Sequence, residues 1–210
     1  MFSLLLKQKL KYMDKPAKTN FDIHPLLKER WSPRSFTDQM VDKETLQRIF
    51  EAARWTPSSS NDQPWRFILG TKGDNTWNMI METLVEFNQK WAKLAPVLAL
   101  SIGKKISDKN GRPSRTFLYD VGQSVAHITF QAMHEGLFVH QMGGFSAQKA
   151  AEIFNIPQEY QVITAFAIGH KGQPELLEDN FAEMEKSERK RHPASDFVFS
   201  ELFGKKADLF

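Results

Sequence analysis

Four short stretches carry residue types and spacings that suit a planar ligand with an anionic tail. In ERWSPRSF, Arg30, Ser32 and Arg34 alternate along a segment that Pro33 keeps extended, so their side chains fall on one side. Two guanidiniums flanking a hydroxyl match the oxygens of a phosphate monoester or the polar edge of a ring, although a solvated basic turn has the same composition. Near the other end, SERKRHP sets Arg189 and Arg191 just ahead of Pro193, a charge run that also suits a solvent face. In MGGF, Gly143 and Gly144 let the backbone approach a flat ligand closely, or simply make a turn. The loop WTPSSSNDQPWRF, residues 55–67, bends at Pro57 and offers Ser58, Ser59, Ser60 and Asn61 with short polar side chains and free N–H groups.

These stretches need a frame, and the hydrophobic pattern supplies one. HPLLKERW, 24–31, reads as a short helix with Pro25 in its first turn. Asp42 caps KETLQRIFEAARW, Val41 and Leu46 stand as a hydrophobic staple, and Leu46, Ile49, Phe50 and Ala53 repeat at helical spacing. WRFILG, VLALSIG, FVHQM and QVITAFAIGH have the length and composition of strands. TWNMIMETLVEFNQKWAKL is expected as one amphipathic helix, and FLYDVGQSVAHITFQAMHEGL as a central helix buried on most sides. SAQKAAEIFNI follows the glycine turn as a further helix, and residues 171–210 form a tail that is charged first and then aromatic. Helices and strands mix without regular alternation, which indicates an α+β domain.

Several chemistries are excluded. The chain has no cysteine, so thiolate metal sites, disulfides and cysteine nucleophiles are absent. It lacks a phosphate loop, a dinucleotide glycine fingerprint, a G-x-S-x-G elbow and an H-E-x-x-H pair. His127 and His134 lie seven apart on the central helix and fit packing better than metal ligation, so no metal is expected. A net charge of +3 suits an anionic small molecule as well as nucleic acid, and decides little. No apolar run approaches the roughly 20 residues of a membrane span. MFSLLLKQKLKYMDKPAK lacks the basic start and cleavage site of a secretory leader, so residues 1–20 read as an N-terminal arm of a cytoplasmic protein, with one domain over 21–210 and a C-terminal arm.

In order along the chain, RWSPRSF, PSSSNDQPWRF, DVGQS, MGGF, AIGH and RKRHP ahead of FVFSELFG resemble the nitroreductase family of FMN-dependent oxidoreductases, over roughly residues 24–204. The resemblance implies a central mixed, mainly antiparallel sheet flanked by helices, and a homodimer with FMN at the subunit interface. It implies that Arg30, Ser32 and Arg34 contact the phosphate, ribityl chain and pyrimidine edge. Asn61 matches a flavin-facing asparagine, while Pro57, Ser58 and Ser59 match a segment that reaches the partner's flavin. Gly143 and Gly144 match the turn whose N–H groups face flavin N5 and O4, and Arg191, with Arg189, matches the phosphate-binding residues near the C terminus. Gly143 stands where the family commonly has an acidic or other residue, and His192 where a basic one is more usual. A backbone role survives the first change; the second leaves the set of phosphate ligands open. The implied reaction passes hydride from NADH or NADPH through the flavin to a nitroaromatic, quinone or similar conjugated acceptor. The rivals are a non-catalytic flavin binder, a variant chemistry such as reductive dehalogenation, and a basic nucleic-acid module.

Overall fold

The four apolar runs become the strands of one sheet in the computed structural model of the chain, which describes residues 14–209. Most of the arm expected over 1–20 therefore lies outside the described residues. The strands β1 (Trp65–Thr71), β2 (Val97–Lys104), β3 (Phe138–Met142) and β4 (Tyr160–Gly169) stand in the order β1-β2-β4-β3, with every neighbouring pair antiparallel. Side chains alternate between the faces of a strand. Leu98, Leu100, Ala165 and Ala167 accordingly enter one core with Trp77, Ile80 and Trp91, while Val97, Ala99, Phe166 and Ile168 enter another with Ile49, Ala53 and Ile128. Helices α2 (Lys43–Arg54) and α5 (Phe117–His134) thus cover one face. Helices α3 (Asn75–Thr83), α4 (Glu86–Ala92) and α6 (Ala147–Ile153) cover the other. Helix α1 (Pro25–Glu29) precedes them in the chain. This is the α+β arrangement that the pattern indicated.

Local signals explain the helix starts. Asp42 Oδ1 accepts from Thr45 N at 2.8 Å, Asp74 Oδ1 from Trp77 N at 2.7 Å, and Ser146 Oγ from Lys149 N at 3.1 Å. Helix α5 buries one face, through residues such as Val121, Val125 and Ile128, whereas Leu118 and Tyr119 are exposed. It is not buried on most sides within this chain.

The structure also corrects the single helix expected over TWNMIMETLVEFNQKWAKL. The chain leaves helical geometry at Leu84 and Val85 and starts again at Glu86. The cause is tertiary. Val85 N donates to the carbonyl of Gly144 at 3.1 Å, and Leu84 forms a β-bridge with Phe145. Gln89 Nε2 then donates to the carbonyls of Met81 and Leu84, at 3.1 and 2.9 Å; the first also accepts from Leu84 N, at 3.1 Å. A second correction lies in the tail, where residues read only as charged form helix α7 (Asp179–Lys186), anchored by the buried Phe181.

Asn88 is the bolt of the break: Nδ2 donates to the Gly144 carbonyl at 2.9 Å and Oδ1 accepts from Trp91 Nε1 at 3.2 Å. Asn88→Ala is expected to lower unfolding free energy by about 1–3 kcal/mol, because buried partners lose their bonds. Urea denaturation measures this, and a loss under about 0.5 kcal/mol, the range of a neutral surface change, would show that the turn is held by other means.

Candidate functional site

Arginines from both ends of the chain line one cavity of about 190 Å³. Arg30, Ser32 and Arg34 come from the extended segment after α1, with Arg30 Nη1 3.4 Å from Ser32 Oγ. Arg189 and Arg191 come from the irregular stretch after α7. Arg189 Nη1 donates to the carbonyls of Lys15 and Lys28, at 2.6 and 3.1 Å, so this guanidinium ties chain segments together as well as adding charge. Burial, followed by the neighbouring Arg189 and Arg191, holds the Arg30 guanidinium below its ordinary pKa. Such a cluster of cations favours an anion.

The extended segment is fixed from behind. Glu185 of α7, 1% exposed, turns its carboxylate to the backbone. Oε1 accepts from Arg34 N at 3.0 Å and Ser35 N at 3.2 Å, and Oε2 lies 3.1 Å from Arg34 N. Burial raises the Glu185 pKa, and the two N–H donors and the nearby charges of Arg34 and Lys15 oppose that rise. On the other side, His140 of β3 donates from Nδ1 to the Pro33 carbonyl at 2.8 Å and lies 4.4 Å from the Trp91 ring. Burial holds this imidazole down to about 4, so it is neutral at physiological pH. Arg34 Nε is buried with no hydrogen-bond acceptor among the described residues. A cationic cavity with an orphaned guanidinium N–H fits a phosphate.

Three residues past His140, about 10 Å along the strand edge, lies the glycine turn. Its acceptors are occupied: Phe145 N donates to the Gly143 carbonyl at 3.1 Å, and Val85 N and Asn88 Nδ2 to that of Gly144. Among the described residues, neither glycine N–H has an acceptor. A Cβ on Gly144 would lie 2.7 Å from Asn88 Nδ2, so the glycine there is required by packing. A Cβ on Gly143 would meet nothing within 4 Å, so that face stays open to a flat ligand.

The structure does not bring the serine loop to the same place. Pro57, Ser58, Ser59 and Asn61 lead into β1, and the glycine turn follows β3, the opposite edge strand. Three strand spacings, about 14 Å, separate those edges. The loop is exposed at Pro57, Ser59 and Asn61 and half-buried at Ser58. Ser60, Asn61 and Gln63 hold positive φ of 53°, 54° and 49°. The buried Asp120 of α5 accepts from Ser59 N at 3.3 Å, and Asn61 Oδ1 accepts from Gln63 Nε2 at 3.1 Å.

Asn88, Asp120, His140 and Glu185 shape these surfaces, and sequence reading missed all four. Asp120 had a signal in DVGQS, and His140 in its isolated polar place within FVHQM. Asn88 and Glu185 are ordinary polar residues in helical stretches, and only tertiary contacts single them out.

The Glu185 shift carries a stability consequence. A carboxyl with a raised folded pKa contributes stability that is full below its unfolded value near 4.5 and lost as pH rises through the folded value. The difference in unfolding free energy between wild type and Glu185→Gln, both flavin-free, should therefore fall as pH rises above about 4.5 and then level off. A difference independent of pH, measured by urea denaturation across acid to neutral pH, would remove the shift.

The chain is similar to known proteins in sequence and in fold. The model of the Nitroreductase family matches residues 27–84. A crystal structure described as an oxidoreductase containing FMN superposes with a TM-score of 0.85 at 38% identity, covering 90% of this chain and 96% of that one. A nitrobenzene nitroreductase from Ectopseudomonas oleovorans is 48% identical over 44 residues, which is 21% of this chain and 19% of that protein. A relative from Archaeoglobus fulgidus with the provisional name NADH dehydrogenase/NAD(P)H nitroreductase is 23% identical over 145 residues, 67% of this chain and 80% of its own length. With the fold matched over nearly its whole length and the motifs in order, this chain belongs to the nitroreductase family.

Proposed function

We propose that the chain is an FMN-dependent oxidoreductase that passes hydride from NADH or NADPH to a nitroaromatic, quinone or similar conjugated acceptor. The observation that carries this reading is the meeting of Arg30, Ser32 and Arg34 with Arg189 and Arg191 around one cavity, on the strand edge that ends in an open glycine turn. FMN, when bound, supplies the hydride chemistry, taking two electrons and a proton from the nicotinamide and yielding them to the acceptor. The chain's own residues bind, orient and polarise. The arginines hold the phosphate, with Arg34 Nε gaining the acceptor it lacks. The N–H groups of Gly143 and Gly144 donate to the edge of the ring where negative charge develops on reduction, and stabilise it. His140, neutral and bonded to Pro33, keeps the segment beneath the phosphate in place without adding charge. On this reading no acid–base pair of side chains is required.

The same reading makes the protein a cytoplasmic homodimer with FMN at the subunit interface, residues 1–20 an N-terminal arm, and residues 21–210 a single flavin-binding domain with a C-terminal arm. The separation of the serine loop from the glycine turn supports it, since Pro57, Ser58, Ser59 and Asn61 of a second copy then complete the site. Trp55, Tyr119, Phe197, Leu202 and Phe203 are also exposed, apolar area that a monomer would leave in water. No helix among the described residues is long and apolar enough to cross a membrane.

Purified protein is expected to carry the visible absorbance of oxidised flavin and to oxidise NADH or NADPH with menadione as acceptor. Protein that stays colourless after incubation with FMN would end this account, and flavin without turnover would favour a non-catalytic binder. Arg30→Ala combined with Arg191→Ala should raise the FMN Kd at least about a hundredfold, two charge-assisted contacts being lost. Sedimentation should give twice 24.2 kDa; a clean monomer would remove the shared site.

A further inference from the structure

Lys15 belongs to none of the motifs above, yet it lines the anion cavity. Four contacts tie its segment to the rest of the fold, two of them to residues that line that cavity. Asp14 pairs with Lys171 at 2.8 Å, and Lys15 Nζ donates to the Glu185 carbonyl at 2.6 Å. Arg189 Nη1 donates to the Lys15 carbonyl at 2.6 Å, and Ala17 N to the Lys28 carbonyl at 2.7 Å. The ammonium sits 4.7 Å over the Trp31 ring, so a side chain that is normally free to rotate is held in one place.

Resting on the flavin reading, we propose that Lys15 is a further phosphate-binding residue, and that residues 14–18 are a strap that holds it at the rim of the cavity. An ammonium has three N–H donors. One is used on the Glu185 carbonyl, and the others have no acceptor among the described residues. A carbonyl and a ring face attract this charge but do not neutralise it, and the Glu185 carboxylate is already engaged by the backbone of Arg34 and Ser35. Burial lowers the Lys15 pKa; the charge of Glu185 opposes that shift, and Arg189 and Arg34 add to it. A doubly charged phosphate in the cavity stabilises the charged form of all of these cations together.

The test compares FMN with riboflavin, which has the same ring and side chain but no phosphate. Fluorescence quenching on titration into full-length, flavin-depleted protein gives each Kd. Wild type should hold FMN more tightly than riboflavin. Lys15→Met, which keeps the apolar stem over Trp31, should raise the FMN Kd about tenfold while riboflavin stays within about twofold, and Lys15→Arg should restore most of the loss. An FMN Kd unchanged by Lys15→Met overturns the proposal, as does an equal weakening of both flavins, which would make the strap structural only. In either case the flavin reading stands. A wild type that holds FMN no better than riboflavin overturns the cavity as a phosphate site, and Lys15 with it.

Discussion

Three backbone N–H···O contacts converge on the carboxylate of Glu185, and the anion cavity depends on how they are made. Two like charges about 6 Å apart repel by about 3 kcal/mol at an effective dielectric of about 20, so a cluster of lysine and arginines needs a counter-charge to assemble. The ordinary solution, a two-pronged arginine–carboxylate pair, would use up the guanidinium donors that a ligand requires. Here the carboxylate binds the main chain of Arg34 and Ser35 instead. The negative charge lies beside the cations, while Arg34 Nε is left without an acceptor among the described residues. Burying an acid in this way raises its pKa, and the backbone donors are what keep it in place.

The glycine turn follows the same logic with the signs reversed. Both of its carbonyls are occupied by Phe145 N, Val85 N and the Asn88 amide, and its two N–H groups are not. In each half of the site, then, the frame grips the backbone through the groups a flavin would not use and leaves those it would. That explains why the break between α3 and α4 is worth its lost helical bonds. Val85 can reach Gly144 only by leaving the helix, and Gln89 donates to the carbonyls of Met81 and Leu84 at the break.

What could be read from sequence was local. Pro33 enforces an extended backbone, so the alternation of Arg30, Ser32 and Arg34 onto one side needs no knowledge of the fold. Helix α2 announces itself through Asp42 and through the spacing of Leu46, Ile49 and Ala53, and the strands through their β-branched and aromatic runs. What could not be read depends on partners far along the chain. The hydrophobic period runs unbroken through Leu84 and Val85, and the group that breaks it is a carbonyl some sixty residues on. Lys15 and Glu185 are separated by 170 positions, and each alone is a common surface residue in a charged stretch. Helix α7 is short, with Phe181 as its main apolar anchor, too little for a periodic signal.

The width of the sheet sets the last constraint. An antiparallel order of β1-β2-β4-β3 puts the serine loop and the glycine turn at opposite edges, about 14 Å apart across three strand spacings. Yet the loop is built at some expense. Non-glycine residues at positive φ cost about 1–3 kcal/mol each and persist only where the surroundings insist on them. Ser60, Asn61 and Gln63 are three in four residues, braced by Asp120 and by Lys109, whose ammonium meets the Ser60 carbonyl. The proposed pairing of two copies would give that conformation a use. It is accounted for if each chain carries two unlike halves, a cationic cavity with bare N–H donors at one edge and a braced polar loop at the other, and a twofold pairing joins each half to its complement.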